Sequence, residues 1–99
     1  MKIDWDFTAQ TFLDQLPAHE QARVTHAVTQ LGANWDGLEG KQLSQVNGAL
    51  SELFSLRVGG DLRVLLRRRG DTIVVVDVVR RSQIEGLRHL RREPQAAPG

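Results

Sequence analysis

The sequence predicts an α+β domain with the element order β-α-α-β-β-β-α. In this fold an N-terminal helical hairpin packs on an antiparallel sheet, and a C-terminal helix follows the last strand. Three observations support it: apolar residues recur with a helical period early in the chain, they alternate with a period of two after Leu50, and two tight-turn sequences divide that second region. Because the helices are grouped before the main strands, we expect the other face of the sheet to be partly open.

The N-terminal third predicts one short strand followed by two helices. Apolar and polar side chains alternate over residues 1–5, as in a strand. Apolar residues from Ala9 to Leu16 then follow the spacing of one helix face, and Pro17 ends that helix and begins the next. The same spacing recurs from Val24 to Leu31, and Gly32 is a typical helix end. Two helices with so short a connection predict a hairpin.

The middle of the chain changes from loop to sheet. The glycine-rich stretch from Gly32 to Gly48 has no clear period and predicts a loop, with room for one helical turn around Lys41 to Gln45. Turn sequences then divide the alternating region into three consecutive strands, which predicts an antiparallel meander. The predicted strands are Leu50 to Val58, Leu62 to Arg68 and Thr72 to Val79, and the last of these is the most hydrophobic and is therefore expected inside the sheet.

The C-terminal segment predicts a capped helix and a tail. Ser82 to Glu85 matches the S-x-x-E capping box, and apolar residues from Ile84 to Leu90 continue the helical spacing. The Pro-, Ala- and Gly-rich residues 93–99 predict a disordered tail. We therefore expect residues 1–92 to form a single domain.

Composition excludes several classes of function. The 99-residue chain has no cysteine, which excludes disulfides and thiolate metal sites and suits the cytoplasm. The N-terminus shows no signal-peptide pattern, and no apolar run is long enough to cross a membrane. Residues 1–50 contain three basic and six acidic residues, whereas residues 51–99 contain ten basic and six acidic residues. This asymmetry indicates an acidic partner for the C-terminal half.

Three arginines are the strongest candidates for a binding site. Arg57 and Arg63 flank the turn Gly59-Gly60-Asp61, which brings them close together across two strands. Arg81 ends the third strand just before Ser82, the predicted cap of a helix whose free N–H groups attract anions. We therefore expect a phosphate pocket, although exposed ion pairs of little energetic value remain the alternative; the acids available for such pairs are Glu52, Asp61 and Asp77.

Other polar residues carry weaker signals. The run Arg67 to Arg69 lies at a hairpin end and predicts a solvated turn, with a supporting role in holding a nucleic-acid backbone. His19 and His26 are interpreted as surface or boundary residues away from the arginines, and His89 lies in the last predicted helix. The three histidines have no metal-ligand spacing, and no phosphate-binding glycine loop is present, so no metal or cofactor is expected.

Residues 48–83, GALSELFSLRVGGDLRVLLRRRGDTIVVVDVVRRSQ, resemble the second half of toxins of the RelE/ParE superfamily. The shared features are a strand that ends in Leu-Arg, a short glycine-containing turn, Arg-Val at the start of a hydrophobic strand, and a further hydrophobic strand that ends in a basic pair. The preceding strand and helical hairpin also agree, so the resemblance spans about residues 2–92.

The resemblance implies a function that composition alone does not. RelE-like toxins of type II toxin–antitoxin systems are ribosome-dependent endoribonucleases that cut mRNA in the ribosomal A site, where the 2′-hydroxyl attacks the adjacent phosphate. A cognate antitoxin neutralises them. By position, Arg57 and Arg63 match family arginines around the first hairpin, Arg80 stands where many members have histidine, and Arg81 matches the basic residue after it. We therefore predict catalytic roles for Arg57, Arg63 and Arg81, which the resemblance supports, and RNA binding by Arg80, Ser82, Arg67 and Arg69.

Departures from the family pattern leave two alternatives open. Many RelE-like members have a tyrosine a few residues after the basic pair, where Leu87 or a neighbour stands here, and some have lysines where this chain has Leu53 and Ser55. Arginine stays protonated and is a poor base. A ParE-like inhibitor of DNA gyrase needs no base, and a catalytically weakened toxin is the third possibility. The proton carriers, the codon preference and the oligomeric state stay open; the proton-carrier candidates are Glu52, Asp61, Asp77 and His89.

Overall fold

A five-stranded sheet with the two long helices on one face organises the protein. A computed structural model describes residues 1–46 and 52–82. The sheet has the strand order β1-β5-β4-β3-β2. The elements are β1 (Lys2–Trp5), α1 (Phe7–Gln15), α2 (Ala18–Ala33), α3 (Trp35–Leu38), β2 (Leu43–Gln45), β3 (Leu53–Val58), β4 (Leu62–Arg69) and β5 (Thr72–Arg80). The predicted α+β class, helical hairpin and antiparallel meander are confirmed.

One strand pair differs from the predicted antiparallel sheet. β1 pairs in parallel with β5, with Lys2 opposite Thr72 and Trp5 opposite Val75, so the sheet is mostly but not wholly antiparallel. A parallel pair needs a long crossover, and here the three helices and strands β2 to β4 separate the two strands in the chain. β5 therefore has strand neighbours on both sides, as its hydrophobicity predicts.

The glycine-rich loop contains more structure than its sequence predicts, and the predicted helical turn is misplaced. The turn lies at Trp35–Leu38, whereas Leu43–Gln45 is an edge strand paired with β3. Leu43 is fully buried opposite Leu56, and Gly40 reverses the chain with a φ of 82°. Burial against a strand that comes later in the sequence therefore overrides the weak local pattern.

The core lies between the helices and alternate residues of β3, β4 and β5. On β5 the alternation shifts at a bulge after Val75, since Leu66 pairs with Val75 but Leu65 pairs with Asp77. The bulge keeps both Val75 and Val78 buried, and the Val78 N–H donates to Asp77 Oδ1 at 2.8 Å. The buried residues on these elements are Ala9, Leu13, Val24, Val28, Leu31, Phe54, Leu56, Val58, Leu62, Val64, Leu66, Ile73, Val75 and Val78.

The C-terminal predictions are only partly covered by the structure. Arg81 and Ser82 already have helical backbone, so Ser82 is not the non-helical cap residue that the sequence predicts. The remainder of the predicted last helix, His89 and the predicted tail over 93–99 lie outside the described residues, as do residues 50 and 51 of the predicted strand that here begins at Leu53. None of the described helices has both the length and the apolar character needed to cross a lipid bilayer.

Candidate functional site

The hairpin between β3 and β4 places two arginines directly opposite each other. Val58 pairs with Leu62 and Arg57 pairs with Arg63 across a turn that Gly59 enters with a φ of 64°. Directly opposed residues have Cβ atoms about 5 Å apart. Since Leu56, Val58, Leu62 and Val64 are buried against the helices, Arg57 and Arg63 project to the other side of the sheet, hereafter the open face.

Within the described residues, this opposed pair of cations has no acidic salt-bridge partner. Like charges directly across a strand pair are destabilising. Arg57 is exposed, and Arg63 is half-buried with its Nη1 donating to the Leu62 carbonyl at 2.8 Å. Neither side chain forms a salt bridge with an acid in residues 1–46 or 52–82. An anion bound between the two guanidinium groups would relieve their repulsion, which is the arrangement that phosphate binding requires.

The end of β5 brings Arg81 to the same edge of the sheet. Arg63 lies opposite Val79, two residues before Arg81. The Arg81 N–H donates to the carbonyl of Asp61 in the β3–β4 turn at 2.6 Å. The structure thus places the three predicted catalytic residues, Arg57, Arg63 and Arg81, at one end of the sheet, with Ser82 adjoining them.

Arg80 has a different environment from these three. Its strand partner is the buried Leu62, which turns it toward the helices. Its guanidinium forms salt bridges with Glu20 of α2 at 3.1 Å and Asp61 of the turn at 2.7 Å. Hydrogen bonds that Arg80 donates to Glu20 and then to Asp61 raise the pKa of Arg80 above its ordinary value. Arg80 therefore joins α2, the turn and β5, and its predicted RNA-binding role stays a prediction.

The second group of arginines lies at the opposite end of β4. Arg67 pairs with Leu53 and Arg69 with Thr72, so both project to the open face on the side occupied by Arg63. At the strand rise, Arg67 is about 13 Å and Arg69 about 20 Å from Arg63 along β4. Arg68 points the other way and lies 5.0 Å from the ring centroid of the buried Trp35. The three consecutive arginines thus have two different environments.

Sequence reasoning missed two residues beside the site. Arg23 and His26 of α2 line an open cleft of about 200 Å³ that Arg57 and Gly59 also line. His26 is therefore exposed, as predicted, but it is not remote from the arginines. The signal was available in the spacing of Arg23, His26 and Gln30, which repeats every three to four residues along one side of α2.

The described residues provide charge stabilisation more clearly than proton transfer. Asp61 is engaged by Arg80, and Asp77 accepts the Val78 N–H next to α1 rather than beside the arginine pair. Fixed guanidinium groups can stabilise the extra negative charge that develops at a phosphate during displacement.

Comparison with known structures identifies the fold. A chain of the RelBE2 toxin–antitoxin complex from Mycobacterium tuberculosis matches with a TM-score of 0.67 at 24% identity, over 81% of this chain and 96% of that one. A chain of the RelB–RelE antitoxin–toxin complex from Methanococcus jannaschii matches with a TM-score of 0.65 at 20% identity, over 83% and 94%. The YoeB/ParE toxin from Agrobacterium tumefaciens matches with a TM-score of 0.63 at 15% identity, over 81% and 98%.

These similarities confirm the RelE/ParE-type toxin fold predicted from the sequence. By sequence, in contrast, no family model and no curated protein matches the chain.

Proposed function

We propose that this protein is the toxin of a type II toxin–antitoxin system and that it cleaves mRNA in the ribosomal A site. The observation that carries the proposal is the opposed pair Arg57 and Arg63, two cations without a counter-ion in the described residues, on a RelE/ParE-type fold. A folded protein retains a like-charge pair at a stability cost when function needs the charge.

The proposed chemistry is displacement at phosphorus by the neighbouring 2′-hydroxyl of the RNA. The 2′-oxygen loses its proton and bonds to phosphorus, the bond from phosphorus to the 5′-oxygen of the next nucleotide breaks, and that oxygen takes up a proton, which leaves a 2′,3′-cyclic phosphate and a 5′-hydroxyl. Arg57, Arg63 and Arg81 hold the scissile phosphate and stabilise its additional negative charge, which is often the largest contribution to catalysis. Binding also orients the 2′-oxygen for in-line attack. Without a positioned general base, the rate would be about 10²- to 10⁴-fold below that of an enzyme that has one.

The partners follow from this role. The protein acts in the cytoplasm on translating ribosomes, and a cognate antitoxin neutralises it. RelB accompanies RelE in the complexes from Methanococcus jannaschii and Pyrococcus horikoshii. On the open face Arg67 and Arg69 extend the cationic surface along β4 and would hold the flanking RNA backbone.

A ribosome-programmed cleavage assay tests the proposal. Purified protein added to ribosomes stalled on a defined mRNA should produce cuts at the A-site codon, and the same mRNA without ribosomes serves as the control. Arg81→Ala should reduce the cleavage rate strongly while the circular dichroism spectrum stays unchanged. Intact mRNA at high protein concentration would contradict the proposal.

The second candidate function is ParE-like inhibition of DNA gyrase. The observation that favours it concerns the described candidate bases near the strand ends: Asp61 is bound to Arg80, Asp77 lies beside α1, and His26 lines the cleft on the helix side rather than the open face. A supercoiling assay separates the two candidates, because inhibited supercoiling together with intact mRNA supports the gyrase reading. A catalytically weakened toxin would show neither activity and would permit normal growth when it is expressed without its antitoxin.

A further inference from the structure

A cleft on the helix side of the sheet lies next to the arginine pair of the open face. It lies between α2 and the end of β3 and has a volume of about 200 Å³. Five polar residues line it: Arg23, His26, Gln30, Gln42 and Arg57. The buried Leu56 and Val58 form part of its floor. A small cleft with a cationic rim and an apolar floor suits one charged unit of an extended ligand rather than a whole drug-sized molecule.

The charge of the cleft is uncompensated within the described residues. Glu20 lies one helical turn before Arg23 on α2, but its carboxylate binds Arg80 at 3.1 Å, and Asp61 of the turn also binds Arg80. No salt bridge to Arg23 or Arg57 occurs in residues 1–46 or 52–82. Arg80 thus occupies the nearby acids, and the Arg23 guanidinium at the cleft rim forms no salt bridge within the described residues.

Gly59 leaves the space that the Arg23 guanidinium occupies at the turn. A Cβ atom at residue 59 would lie 2.6 Å from the Arg23 Nη2 atom, which is closer than real Cβ contacts come. The guanidinium therefore lies directly on the β3–β4 turn, the same turn that sets Arg57 opposite Arg63. A helix residue is in this way brought to the hairpin that carries the candidate catalytic pair.

Arg57 connects the two sites because it lines the cleft and is also the strand partner of Arg63. β2 begins beside it, since the Arg57 N–H donates to the carbonyl of Gln42, the residue before β2. A nucleic-acid strand that passes the short edge strand at this point can contact both sides of the sheet.

We infer that the cleft binds a backbone phosphate of the RNA, next to the phosphate held on the open face, with Arg23 as its charged contact and the amides of Gln30 and Gln42 as further donors. Arg57 borders the cleft, but its guanidinium belongs to the open-face site. The identity of the ligand as RNA rests on the proposed function. The site would position the strand and take no part in the chemistry, so its loss should raise KM more than it lowers kcat.

An NMR titration tests the cleft directly. The probe is a trinucleotide with 2′-O-methyl groups, which cannot be cleaved because the attacking oxygen is blocked. Signals of Arg23, His26 and Gln42 should shift on titration. Arg23→Gln should weaken binding about tenfold, the loss of one hydrogen bond to a charged group. Lys2→Gln removes the same charge at the far edge strand and should leave binding unchanged.

A pair of glycine variants controls for damage to the fold. Gly59 and Gly70 both have positive φ, at 64° and 57°, so alanine strains the backbone similarly at each position. A Cβ at residue 70 meets nothing within 4 Å, whereas one at residue 59 displaces Arg23. The two alanine variants should therefore lose similar stability. Gly59→Ala should weaken trinucleotide binding, whereas Gly70→Ala should leave it unchanged.

Three results would overturn the inference. In the first, signals shift only at Arg57 and Arg63, and Arg23→Gln binds the trinucleotide as tightly as the wild type does. The trinucleotide would then bind the open face and not the cleft. Absence of any shift would exclude RNA from the cleft. Hexaglutamate that shifts Arg23 and His26 at lower concentration than the trinucleotide would assign the cleft to an acidic protein segment. The cleavage assay is independent, so wild-type protein that binds the trinucleotide here but leaves mRNA intact would refute the proposed function alone.

Discussion

The two ends of β4 both carry arginines, but their surroundings differ. At the β3–β4 turn, Arg63 faces Arg57 with no acid to neutralise the pair in the described residues. At the β4–β5 hairpin, Arg68 lies over Trp35, while Arg67 and Arg69 are exposed and spread along the strand. A dense run of arginines in the sequence is therefore a poorer guide to a binding site than two arginines placed opposite each other by a turn.

The largest expected difference between the two ends is in cleavage rate. Arg63→Ala removes a charge from the proposed phosphate site and should lower single-turnover cleavage of ribosome-bound mRNA by about 10²- to 10³-fold. Arg69→Ala removes a charge about 20 Å away along the strand and should change the rate only slightly. An equal loss of cleavage rate in both variants would show that the two ends of β4 contribute alike.

A smaller difference is expected in stability, and here the larger effect belongs to the β4–β5 end. Arg68→Ala removes the cation from the face of Trp35, at a cost of about 0.5–1 kcal/mol in the free energy of unfolding. Urea denaturation measures this value. Arg68→Lys keeps a cation near the ring and should recover part of the loss. Because Arg68 points away from the open face, its cleavage rate should match that of the wild type.

The smallest effect has the opposite sign. Arg57→Gln removes one of two opposed cations and should stabilise the free protein by about 0.2–1 kcal/mol, because the repulsion with Arg63 disappears. The gain should shrink as salt is added in the denaturation experiment, since salt screens exposed charges. A loss of stability would mean that the pair is not repulsive in the native protein and would remove the main argument for an anion between them.

Most of the fold could be predicted because its patterns are local. The hairpin helices and the meander follow from apolar spacing and from two glycine-containing turns, and the register at Gly59 places Arg57 opposite Arg63. The helical turn predicted at Lys41 to Gln45 was wrong, because Leu43 is buried by a strand that comes later in the chain. The bulge after Val75 has no local signal beyond Asp77 itself.

The candidate site likewise has features that local sequence predicts and features that depend on distant parts of the chain. The sequence alone was enough to predict that the arginines of the β3–β4 turn lie together and that the end of β5 lies beside them. It missed Arg23 and His26, because their approach to β3 depends on how α2 packs across the sheet. It also could not separate Arg80 from Arg81, since only the pairing with Leu62 turns Arg80 toward Glu20.

What the sequence determined by itself was the order of the elements, the hairpin that opposes two arginines, and the resemblance to RelE/ParE toxins. These depend on residue spacing and turn chemistry over short stretches of chain. Only the tertiary structure decided that β1 pairs in parallel with β5, that Arg80 neutralises the nearby acids, and that a helix arginine lies on Gly59. Those features join residues that are distant in sequence, and their positions are set by packing of the whole core rather than by local preference.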